Sequence, residues 1–541
     1  MSINIDSNEW SDAAALEKLA NQFFQAVPGR DSFDGLLPQQ FPQTVSPATG
    51  VSPFAVENNT SFDIKDPQSS LPDPHFEDGK IPASVAGSGR LPSVQQPSGS
   101  LARPSIPQIP FGGVSQGAYY FLNGANPRNG YAGLSQPPFD VAAVRNDFPI
   151  LKELVNGRPL VWLDNAATTQ KPRQVIDRIS HFYSHENSNI HRAAHELAAR
   201  ATDAYEGARK KVQEFINAAS VNEIIFVRGA TEAINLVAKS WGEQHLVAGD
   251  EIIVSHLEHH ANIVPWQQLA ERKGIKLKVI PVDDDGQILL DEYAKLLSHK
   301  TKLVSVTQVS NALGTITPVR QIADMAHGAG AKVLVDGAQS VSHMPVDVRD
   351  IGADWFVFSG HKVFAPTGIG VVYGREDLLN ATQPWQGGGN MIKDVTFEHT
   401  QYQNAPGRFE AGTGNIADAV GLGAAIDYVT RIGMNNIDTY EHYLLVYATK
   451  LLKDVPGLRL IGTAKDKASV LSFVLNGFTN DQVGQALNKE GIAVRTGHHC
   501  AQPILRRFGL ESTVRPSLAF YNTCADVDAL VSVLHRLRGR Q

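Results

Sequence analysis

The sequence predicts an α/β protein built on a mostly parallel seven-stranded sheet and preceded by a disordered extension. From residue 139 onward, short apolar segments typical of buried strands alternate with segments of helical periodicity; the clearest strands are EIIVSH, KLVSVTQV, KVLVDG and DWFVFSG. This alternation is typical of a sheet with helices on both faces. Residues 1–138 lack such a pattern and hold 17 of the 30 prolines in the chain.

The extension, residues 1–138, is rich in Pro, Ser, Gln and Gly. Such a composition buries too little apolar surface to offset the entropy lost on ordering, so we expect disorder. One segment departs from this: SDAAALEKLANQFFQAV, at 11–27, places its apolar residues on one helical face after a Ser-Asp cap. That predicted helix has no apolar partner near it in the sequence.

Charge divides the extension into two parts. It holds 12 acidic and 7 basic residues, a net charge of −5 within the total of −7, but no acid occurs between Asp78 and Asp140. The later, mildly basic part carries two apolar clusters, LARPSIPQIPF at 101–111 and AYYFLNG at 118–124. Short apolar clusters in a disordered arm are typical of linear docking motifs, and a plain linker is the alternative.

We predict no targeting or membrane segment. The first 30 residues contain four acidic and two basic residues, which fits neither a signal peptide nor an Arg-rich transit peptide. No run of about 18 apolar residues occurs, so we expect no membrane span, and we expect no nucleic-acid partner. A chain with only two cysteines fits a reducing, cytoplasmic location.

Two segments about twenty residues apart indicate a cofactor site. VLVDGAQS is an apolar strand that delivers Asp336 and then Gln339, and FSGHKVF is a second strand that delivers Lys362. A lysine amine can form a Schiff base with pyridoxal 5'-phosphate, and a carboxylate keeps the pyridine nitrogen of that cofactor protonated. Buried strands that end in Asp and surface lysines are both common, so neither segment alone would establish the site. Together they predict a pyridoxal phosphate enzyme.

A third segment, FVRGATEAINLVA, supplies a place for the phosphate. A strand leads through Gly229, Ala230 and Thr231 into a helix, where backbone N–H groups and the Thr hydroxyl can approach an anion. An ordinary capped helix is the alternative.

The segment SHLEHHANIVPW offers a histidine after a strand. Such an imidazole can lie against a cofactor ring and move protons, because its pKa is near neutrality. Metal binding by His256, His259 and His260 is the competing interpretation. No CxxC or HExxH spacing supports it, so we predict no metal site.

The segment IAVRTGHHCAQP decides the predicted chemistry. Cys500 lies in a polar loop near Arg495, where positive charge would stabilise a thiolate. We interpret Cys500 as a nucleophile and Cys524 as a small filler near the start of the last helix. Zinc binding by His498, His499 and Cys500 is an alternative, although no fourth, distant ligand is evident.

Residues 139–541 resemble a fold-type I pyridoxal phosphate enzyme of the cysteine desulfurase family, and specifically its SufS-like branch. The matching segments cover essentially the whole catalytic part in this order: LDNAATTQKP, NIHRAAHELA, RGATEAINLVA, EHHANIVPW, QVSNALGT, VDGAQS, SGHK, QGGGNMI, RFEAGTGN, AVRTGHHCAQP and VRPSLAFYN. The resemblance implies a large cofactor-binding domain at 139–419. It also implies a smaller C-terminal α/β domain at 420–541, which carries Cys500 and Arg515 and closes over the cofactor.

The resemblance implies a role for each matching position. Lys362 would bind the cofactor covalently, Asp336 would face the pyridine nitrogen and Gln339 the phenolate oxygen. His259 would stack on the ring and shuttle protons. The phosphate would be bound by Ala230, Thr231, Ser359, His361 and Thr413 of the partner subunit, and the substrate by Asn311, Arg495 and Arg515.

The implied reaction converts L-cysteine to L-alanine and leaves the sulfur as a persulfide on Cys500. Since Thr413 would reach the neighbouring site, the resemblance also implies a homodimer, and SufS-like members commonly pass sulfur to a separate acceptor protein. A selenocysteine lyase is one alternative. An aminotransferase is another, although it would have no use for Cys500.

The extension is similar to the arm of desulfurases that are cargo of encapsulin nanocompartments, in which such an arm binds the inner shell wall. Several motifs on one flexible arm would give avidity for a repeated shell surface. The resemblance therefore implies that residues 1–138 dock the enzyme inside an encapsulin shell in the cytoplasm.

Overall fold

A computed structural model of the chain describes residues 137–190 and 194–539. The predicted disordered extension lies outside the described residues except for its last two positions. The predicted helix at 11–27 and the apolar clusters at 101–111 and 118–124 also lie outside them.

The strands of the described residues are numbered in chain order. They are β1 (Leu154–Val155), β2 (Arg158–Pro159), β3 (Val161–Trp162), β4 (Ile224–Val227), β5 (Glu251–Ser255), β6 (Lys276–Ile280), β7 (Thr301–Thr307), β8 (Lys332–Asp336), β9 (Trp355–Ser359), β10 (Gly370–Gly374), β11 (Ile392–Val395), β12 (Thr400–Tyr402), β13 (Leu458–Ile461), β14 (Ser472–Leu475), β15 (Ile492–Ala493), β16 (Arg495–Gly497) and β17 (Thr513–Arg515).

The helices of the described residues are likewise numbered in chain order. They are α1 (Val141–Asn146), α2 (Arg173–His185), α3 (Glu196–Phe215), α4 (Ala230–Val237), α5 (Glu243–His245), α6 (Val264–Lys273), α7 (Leu290–Leu296), α8 (Val319–Gly328), α9 (Val348–Ile351), α10 (Glu376–Asn380), α11 (Ile416–Ile432), α12 (Met434–Lys453), α13 (Asn480–Lys489), α14 (Gln502–Arg507) and α15 (Cys524–Arg538). In the part of the chain that the structure describes, none of them is both long and apolar enough to cross a membrane.

The central sheet has seven strands in the order β4-β10-β9-β8-β7-β5-β6. Neighbours from β9 to β6 pair in parallel, whereas β10 is antiparallel to both β4 and β9. The prediction of a mostly parallel seven-stranded sheet is therefore confirmed. The four strands that the sequence predicted most clearly are β5, β7, β8 and β9.

The sheet is buried on both faces. Every residue of β5, β9 and β10 is buried, and so are almost all residues of β7 and β8. β-Branched and aromatic residues, as in LVSV of β7 and WFVF of β9, suit a strand covered on both faces. The continuous apolar runs of the sequence, rather than an alternating pattern, reflect this double covering.

A second, antiparallel sheet has the order β13-β14-β17-β16. β15, which lies between β14 and β16 in the sequence, pairs in parallel with β3 near the start of the described residues. The predicted boundary between residues 419 and 420 falls inside the continuous helix α11, and the domain limits stay a prediction.

An aromatic cluster lies behind the turn that carries Lys362. The ring centroids of Phe364 and Phe520 are 4.5 Å apart, and those of Phe148 and Tyr521 are 4.7 Å apart. All four rings are buried. This packing fixes the turn against segments from both ends of the described chain, since edge-on aromatic contacts add to the burial of apolar area.

Candidate active site

Nearly all the predicted site residues line one cavity, which we call the central cavity. It has a volume of about 180 Å³. Its lining residues are Ala166, Ala167, Ala230, Thr231, His259, Ala261, Thr307, Val309, Asn311, Asp336, Ala338, Gln339, Ser359, His361, Lys362, Arg495, His499, Cys500 and Arg515. Of the predicted site residues, Thr413 does not line it.

The carboxyl ends of the parallel strands bring these side chains together. β8 ends on Asp336 and β9 ends on Ser359, and the 3-10 turn Gly360–Lys362 follows β9 directly. β8 and β9 are neighbours in the sheet, so Asp336 and Lys362 reach the same edge. This edge is where open α/β sheets bind their ligands.

Asp336 and Lys362 perturb each other. Burial lowers the pKa of the Lys362 amine to about 8, although the nearby Asp336 opposes this shift. Burial raises the pKa of Asp336, and Lys362 opposes that shift in turn. An amine with a pKa near 8 is partly neutral at physiological pH, which Schiff-base formation requires.

Gln339 is held beside Asp336 and Lys362 by the segment that contains Ala166, which also lines the cavity. Its Nε2 donates a hydrogen bond to the carbonyl of Ala166 at 2.6 Å. A side-chain amide has two N–H groups, so one remains to face a ligand.

The predicted phosphate end of the cavity lies where α4 begins beside β9. The N–H of Ala230 donates to Ser359 Oγ at 2.8 Å, which leaves the hydroxyl hydrogen of Ser359 to donate to an anion. Thr231, Ser359 and His361 also line an adjoining open cavity of about 740 Å³. Ala230 thus contributes by orienting Ser359 as well as by lining the wall.

His259 is neutral in this environment. Burial, followed by the positive charge of Lys362, lowers its pKa to about 3. Its Nδ1 accepts a hydrogen bond from the N–H of Ala261 at 3.0 Å, so the ring proton belongs on Nε2. The imidazole therefore has a defined tautomer at neutral pH.

Arg515 presents part of its guanidinium group to the cavity. Its Nη1 donates to the carbonyl of Asn311 at 2.9 Å, and its Nη2 lies 3.3 Å from Asp164 Oδ1. Within residues 137–190 and 194–539, the buried Arg515 Nε and Asn311 Oδ1 have no hydrogen-bond partner. Buried polar groups are normally paired, so this donor and this acceptor indicate a polar ligand.

The loop that carries Cys500 has an unusual backbone. His499 and Cys500 both have a φ of 54°, in the left-handed region that residues other than glycine rarely adopt. The carbonyl of Cys500 accepts from the N–H of His260 at 2.8 Å, and that of His499 accepts from Asn311 Nδ2 at 2.6 Å. These bonds hold the thiol at the cavity wall.

Thr413 lies elsewhere. It is exposed and lines a neighbouring cavity together with Arg228 and Glu232. Its predicted contribution comes from a partner subunit, so that role stays a prediction.

The histidine-rich segments do not form a metal site in the described part of the chain. No three His, Cys, Asp or Glu side chains of these residues are placed to hold a metal ion together. Metal binding by His256, His259 and His260, and zinc binding at the Cys500 loop, therefore gain no support from the geometry of the described residues.

Sequence reasoning missed several supporting residues. Asp164 pairs with Arg515, as described above. Glu258 accepts hydrogen bonds from Thr307 N–H at 3.1 Å and Asn262 Nδ2 at 2.6 Å, and burial raises its pKa to about 8. The acid thereby anchors the loop that presents His259. Its position directly before His259 was the only signal in the sequence.

The donors and acceptors of the cavity fit pyridoxal 5'-phosphate. A lysine of lowered pKa, an acid at the neighbouring strand end and free hydroxyl donors at a helix start match the aldehyde, the pyridine nitrogen and the phosphate. Together with the sheet order, they define a fold-type I enzyme that uses this cofactor.

Comparisons with known proteins agree. The sequence profile of the aminotransferase class-V family matches residues 161–530, and the chain belongs to this family. A cysteine desulfurase of Synechococcus elongatus is 70% identical over 400 residues, which cover 74% of this chain and 64% of that protein. A cysteine desulfurase of Pectobacterium atrosepticum is 50% identical over 400 residues, which cover 74% of this chain and 98% of that protein.

The chain spans less than two thirds of the length of its more similar relatives. The matched part covers 64% of the Synechococcus protein and 61% of a probable cysteine desulfurase of Mycolicibacterium paratuberculosis, which is 63% identical over 77% of this chain. Among solved structures, the Escherichia coli cysteine desulfurase CsdA is 39% identical, with a TM-score of 0.70 over 74% of this chain and 99% of that one.

Proposed function

We propose that the protein is a cysteine desulfurase, which converts L-cysteine to L-alanine and leaves the sulfur as a persulfide on Cys500. The observation that carries the proposal is that Cys500, Lys362 and Arg515 line one cavity of about 180 Å³. The names of the relatives support the same activity.

Arg515 and Arg495 bind the substrate carboxylate in this proposal. The unpaired Nε of Arg515 gives the guanidinium a donor for one carboxylate oxygen, and Asp164 keeps the far side of the fork in place. Bidentate pairs of this kind fix orientation as well as charge. The unpaired Oδ1 of Asn311 can accept a hydrogen bond from the substrate.

Lys362 and His259 move the protons. When bound, the cofactor supplies an electron sink for the bonds that break at the substrate carbons. The lowered pKa of Lys362 allows its amine to take a proton from the substrate Cα and to return one, and the neutral His259 can relay it through Nε2–H.

Cys500 takes the sulfur. Its Sγ bonds to the substrate sulfur as the bond between that sulfur and Cβ breaks. The electron pair of the broken bond stays with the carbon side, and a proton there completes the methyl group of alanine. The net reaction joins one thiol and L-cysteine into a persulfide and L-alanine, so no outside oxidant or reductant is needed.

The test compares the two cysteines of the chain. Cys524 begins α15, and its Sγ lies 3.7 Å from Tyr443 Oη, away from the central cavity. We expect Cys500→Ser to reduce alanine formation from L-cysteine at least about 100-fold while the absorbance of the Lys362-bound cofactor persists. Cys524→Ser should retain activity. An active Cys500→Ser enzyme, or keto acid as the product, would refute the proposal.

Selenocysteine is a second substrate in the same assay. Selenium leaves carbon more readily than sulfur, so the Cys500→Ser enzyme should retain activity on L-selenocysteine. Loss of both activities in that variant would assign Cys500 a structural role.

We also propose that the enzyme is SufS-like, acts as a homodimer and passes its sulfur to a separate acceptor protein. The short, anchored loop of Cys500 supports transfer to a separate acceptor protein that comes to the thiol. Exposed Thr413 is available to a neighbouring site. Mixing a Lys362→Ala enzyme with a Thr413→Ala enzyme should give more activity than the two enzymes give separately, because one site of each mixed dimer has both native residues. No gain on mixing would contradict the shared site.

We propose further that residues 1–138 dock the enzyme inside an encapsulin shell. The acidic first part and the apolar clusters of that segment support a docking arm rather than a plain linker. Removal of residues 1–138 should leave catalysis unchanged and abolish capture by a co-expressed shell protein. Capture of the shortened enzyme would contradict this role.

A further inference from the structure

Thr168 contacts the phosphate-binding histidine from outside the cavity. The hydroxyl oxygen of Thr168 lies 3.2 Å from His361 Nδ1. The ring of His361 lines both the central cavity and the adjoining cavity at the phosphate end, whereas Thr168 lines neither. The Nδ1 edge of the ring therefore faces Thr168, and Nε2 is the nitrogen left for a ligand.

The position of one proton decides what Nε2 can do. Burial, followed by the charges of Lys362 and Lys171, lowers the pKa of His361 to about 4, so the ring is neutral near pH 7. A neutral imidazole has one N–H group. If that proton is on Nε2, the ring donates to an anion; if it is on Nδ1, a lone pair faces the anion instead.

Four donors compete for the carbonyl of His361, and the Thr168 hydroxyl is one of them. It accepts from the N–H of Thr169 at 3.0 Å and from Thr169 Oγ1 at 3.1 Å. Because Thr169 Oγ1 itself accepts from the N–H of Phe364 at 2.8 Å, its own hydrogen must point to that carbonyl. Lys171 Nζ is a third donor, at 3.2 Å. Thr168 Oγ1 is a fourth donor, at 3.1 Å. The two lone pairs of the carbonyl are filled by the N–H and the hydroxyl of Thr169, which have no other acceptor among the described residues, so the Thr168 hydrogen is the one that can turn to His361 Nδ1 instead.

The remaining carbonyl near Thr168 is occupied as well. The carbonyl of Thr169 lies 3.5 Å from the Thr168 hydroxyl and accepts from Lys171 Nζ at 2.5 Å. Lys171 Nζ also lies 3.5 Å from Thr168 Oγ1, where it can donate a hydrogen bond to the hydroxyl oxygen. The best acceptor left for the Thr168 hydrogen is His361 Nδ1.

We propose that Thr168 is a positioning residue that fixes His361 as the Nε2–H tautomer, so that this N–H donates to the cofactor phosphate. The chain of donors then runs from the Lys171 ammonium through the Thr168 hydroxyl to the ring, and such chains strengthen each member. The proposal rests on the cofactor and not on which amino acid is the substrate.

The test uses three variants of the holoenzyme. Thr168→Val has the same shape without the hydroxyl, and Thr168→Ser keeps it. Thr202→Val is the matched control, since the Thr202 hydroxyl donates to the carbonyl of Ala198 within α3, outside the cavities described. Long-range ¹H–¹⁵N correlation spectra of histidine-labelled enzyme identify the tautomer, with His361→Gln to assign the signal.

We expect the wild-type and Thr168→Ser enzymes to show the Nε2–H form of His361. Thr168→Val should show loss of that single form and should release the cofactor about tenfold faster, as removal of one hydrogen bond to a charged group implies. Thr202→Val should behave as wild type. An Nδ1–H signal in the wild type overturns the proposal, even if Thr168→Val fails to load cofactor, and so does unchanged cofactor release by Thr168→Val.

Discussion

Arg495 and Arg515 stand directly opposite each other on the antiparallel strands β16 and β17. Like charges in this position repel each other. The effect is visible in Arg515, where burial, together with Arg495, lowers the pKa to about 10 while Asp164 opposes the shift. A bound carboxylate would relieve this repulsion, as the proposed substrate-binding role of the pair requires.

Binding of the substrate carboxylate by the guanidinium of Arg515 can be tested with a substitution that keeps the positive charge. Arg515→Lys should raise KM for L-cysteine about 10- to 100-fold, because a bond to a charged group contributes about 1.5–3 kcal/mol and lysine cannot bind bidentately. Steady-state kinetics measure it. Arg506→Lys is the control, since Arg506 forms an exposed ion pair with Glu511. An unchanged KM would show that Arg515 does not bind the carboxylate.

Asp336 can be neutralised without removing its local hydrogen bond. Asp336→Asn retains an oxygen for the N–H of Ala338, which Asp336 Oδ1 accepts at 2.9 Å. We expect the cofactor to remain bound but kcat to fall at least about 100-fold, because the pyridine nitrogen loses the charge that keeps it protonated. Absorbance and kcat are measured on the same sample. A kcat near that of the wild type would remove Asp336 from the mechanism.

His499 makes the folded protein sensitive to acid. Burial, followed by the charges of Arg515 and Arg495, lowers its pKa to about 2. Between that value and about 6.5 the unfolded chain binds a proton that the folded protein does not, so stability falls as the pH falls. From pH 7.5 to 5.5 this group should remove about 1.4 kcal/mol from the free energy of unfolding.

The corresponding experiment compares the wild type with His499→Gln, which can still bond to Thr513 Oγ1 as His499 Nε2 does at 2.8 Å. Urea unfolding at the two pH values should show a smaller pH effect in the variant. Equal pH effects in both proteins would mean that His499 is protonated in the folded state.

A buried ion pair ties α3 to the segment before α11. Arg209 Nη1 and Nη2 lie 2.7 and 2.9 Å from the two carboxylate oxygens of Glu410, and the N–H of Phe226 also donates to Glu410 at 2.7 Å. Glu410→Gln should lower the free energy of unfolding by about 3 kcal/mol, since it leaves the buried guanidinium with only the half-exposed Glu206, 2.9 Å from Arg209 Nε, as its counter-charge.

The control for that variant lies on α3, the helix that carries Arg209. Glu214→Gln removes an exposed pair with Lys210, and it should cost no more than about 1 kcal/mol. Urea unfolding of the holoenzymes gives both values. A similar, small cost for both variants would indicate that the Arg209 charge reaches solvent.

Gly370 allows β10 to lie close to the backbone of Gly229, which precedes the predicted phosphate-binding residue Thr231. A Cβ at this position would lie 2.4 Å from Gly229 Cα and 2.7 Å from the carbonyl of Phe358, and neither backbone atom can move easily. Gly370→Ala should therefore weaken cofactor binding by shifting the turn before Thr231. Gly387→Ala is the control, because its Cβ would meet no atom within 4 Å. Equal cofactor affinity in the two variants would show that the backbone around Gly370 and Gly229 can shift without affecting the cofactor.

The sequence was a good guide to the sheet and to the reactive groups. Buried strands such as β8 and β9 are continuous apolar runs, and residues of recognisable chemistry, Asp336 and Lys362, follow at their ends. The antiparallel direction of β10 was not predicted, because the run GVVYG is apolar in either direction and only its neighbours set its orientation.

The supporting contacts could not be predicted for a different reason. Thr168 and Asp164 act on His361 and Arg515, which lie 193 and 351 positions away in the chain. The atoms involved are common hydroxyl and carboxylate groups, and several contacts are to backbone carbonyls that carry no sequence signal. Only the closed fold places these partners within hydrogen-bond distance.

The anchored backbone of His499 and Cys500 has a kinetic consequence. On the proposed function, a thiol on a fixed backbone could not carry its sulfur out of the cavity, so each sulfur atom would leave only when an acceptor diffuses to the cavity entrance. On the proposed function, turnover with L-cysteine alone should slow after the first equivalent of alanine. The steady rate should then rise with the concentration of recipient until collision no longer limits it.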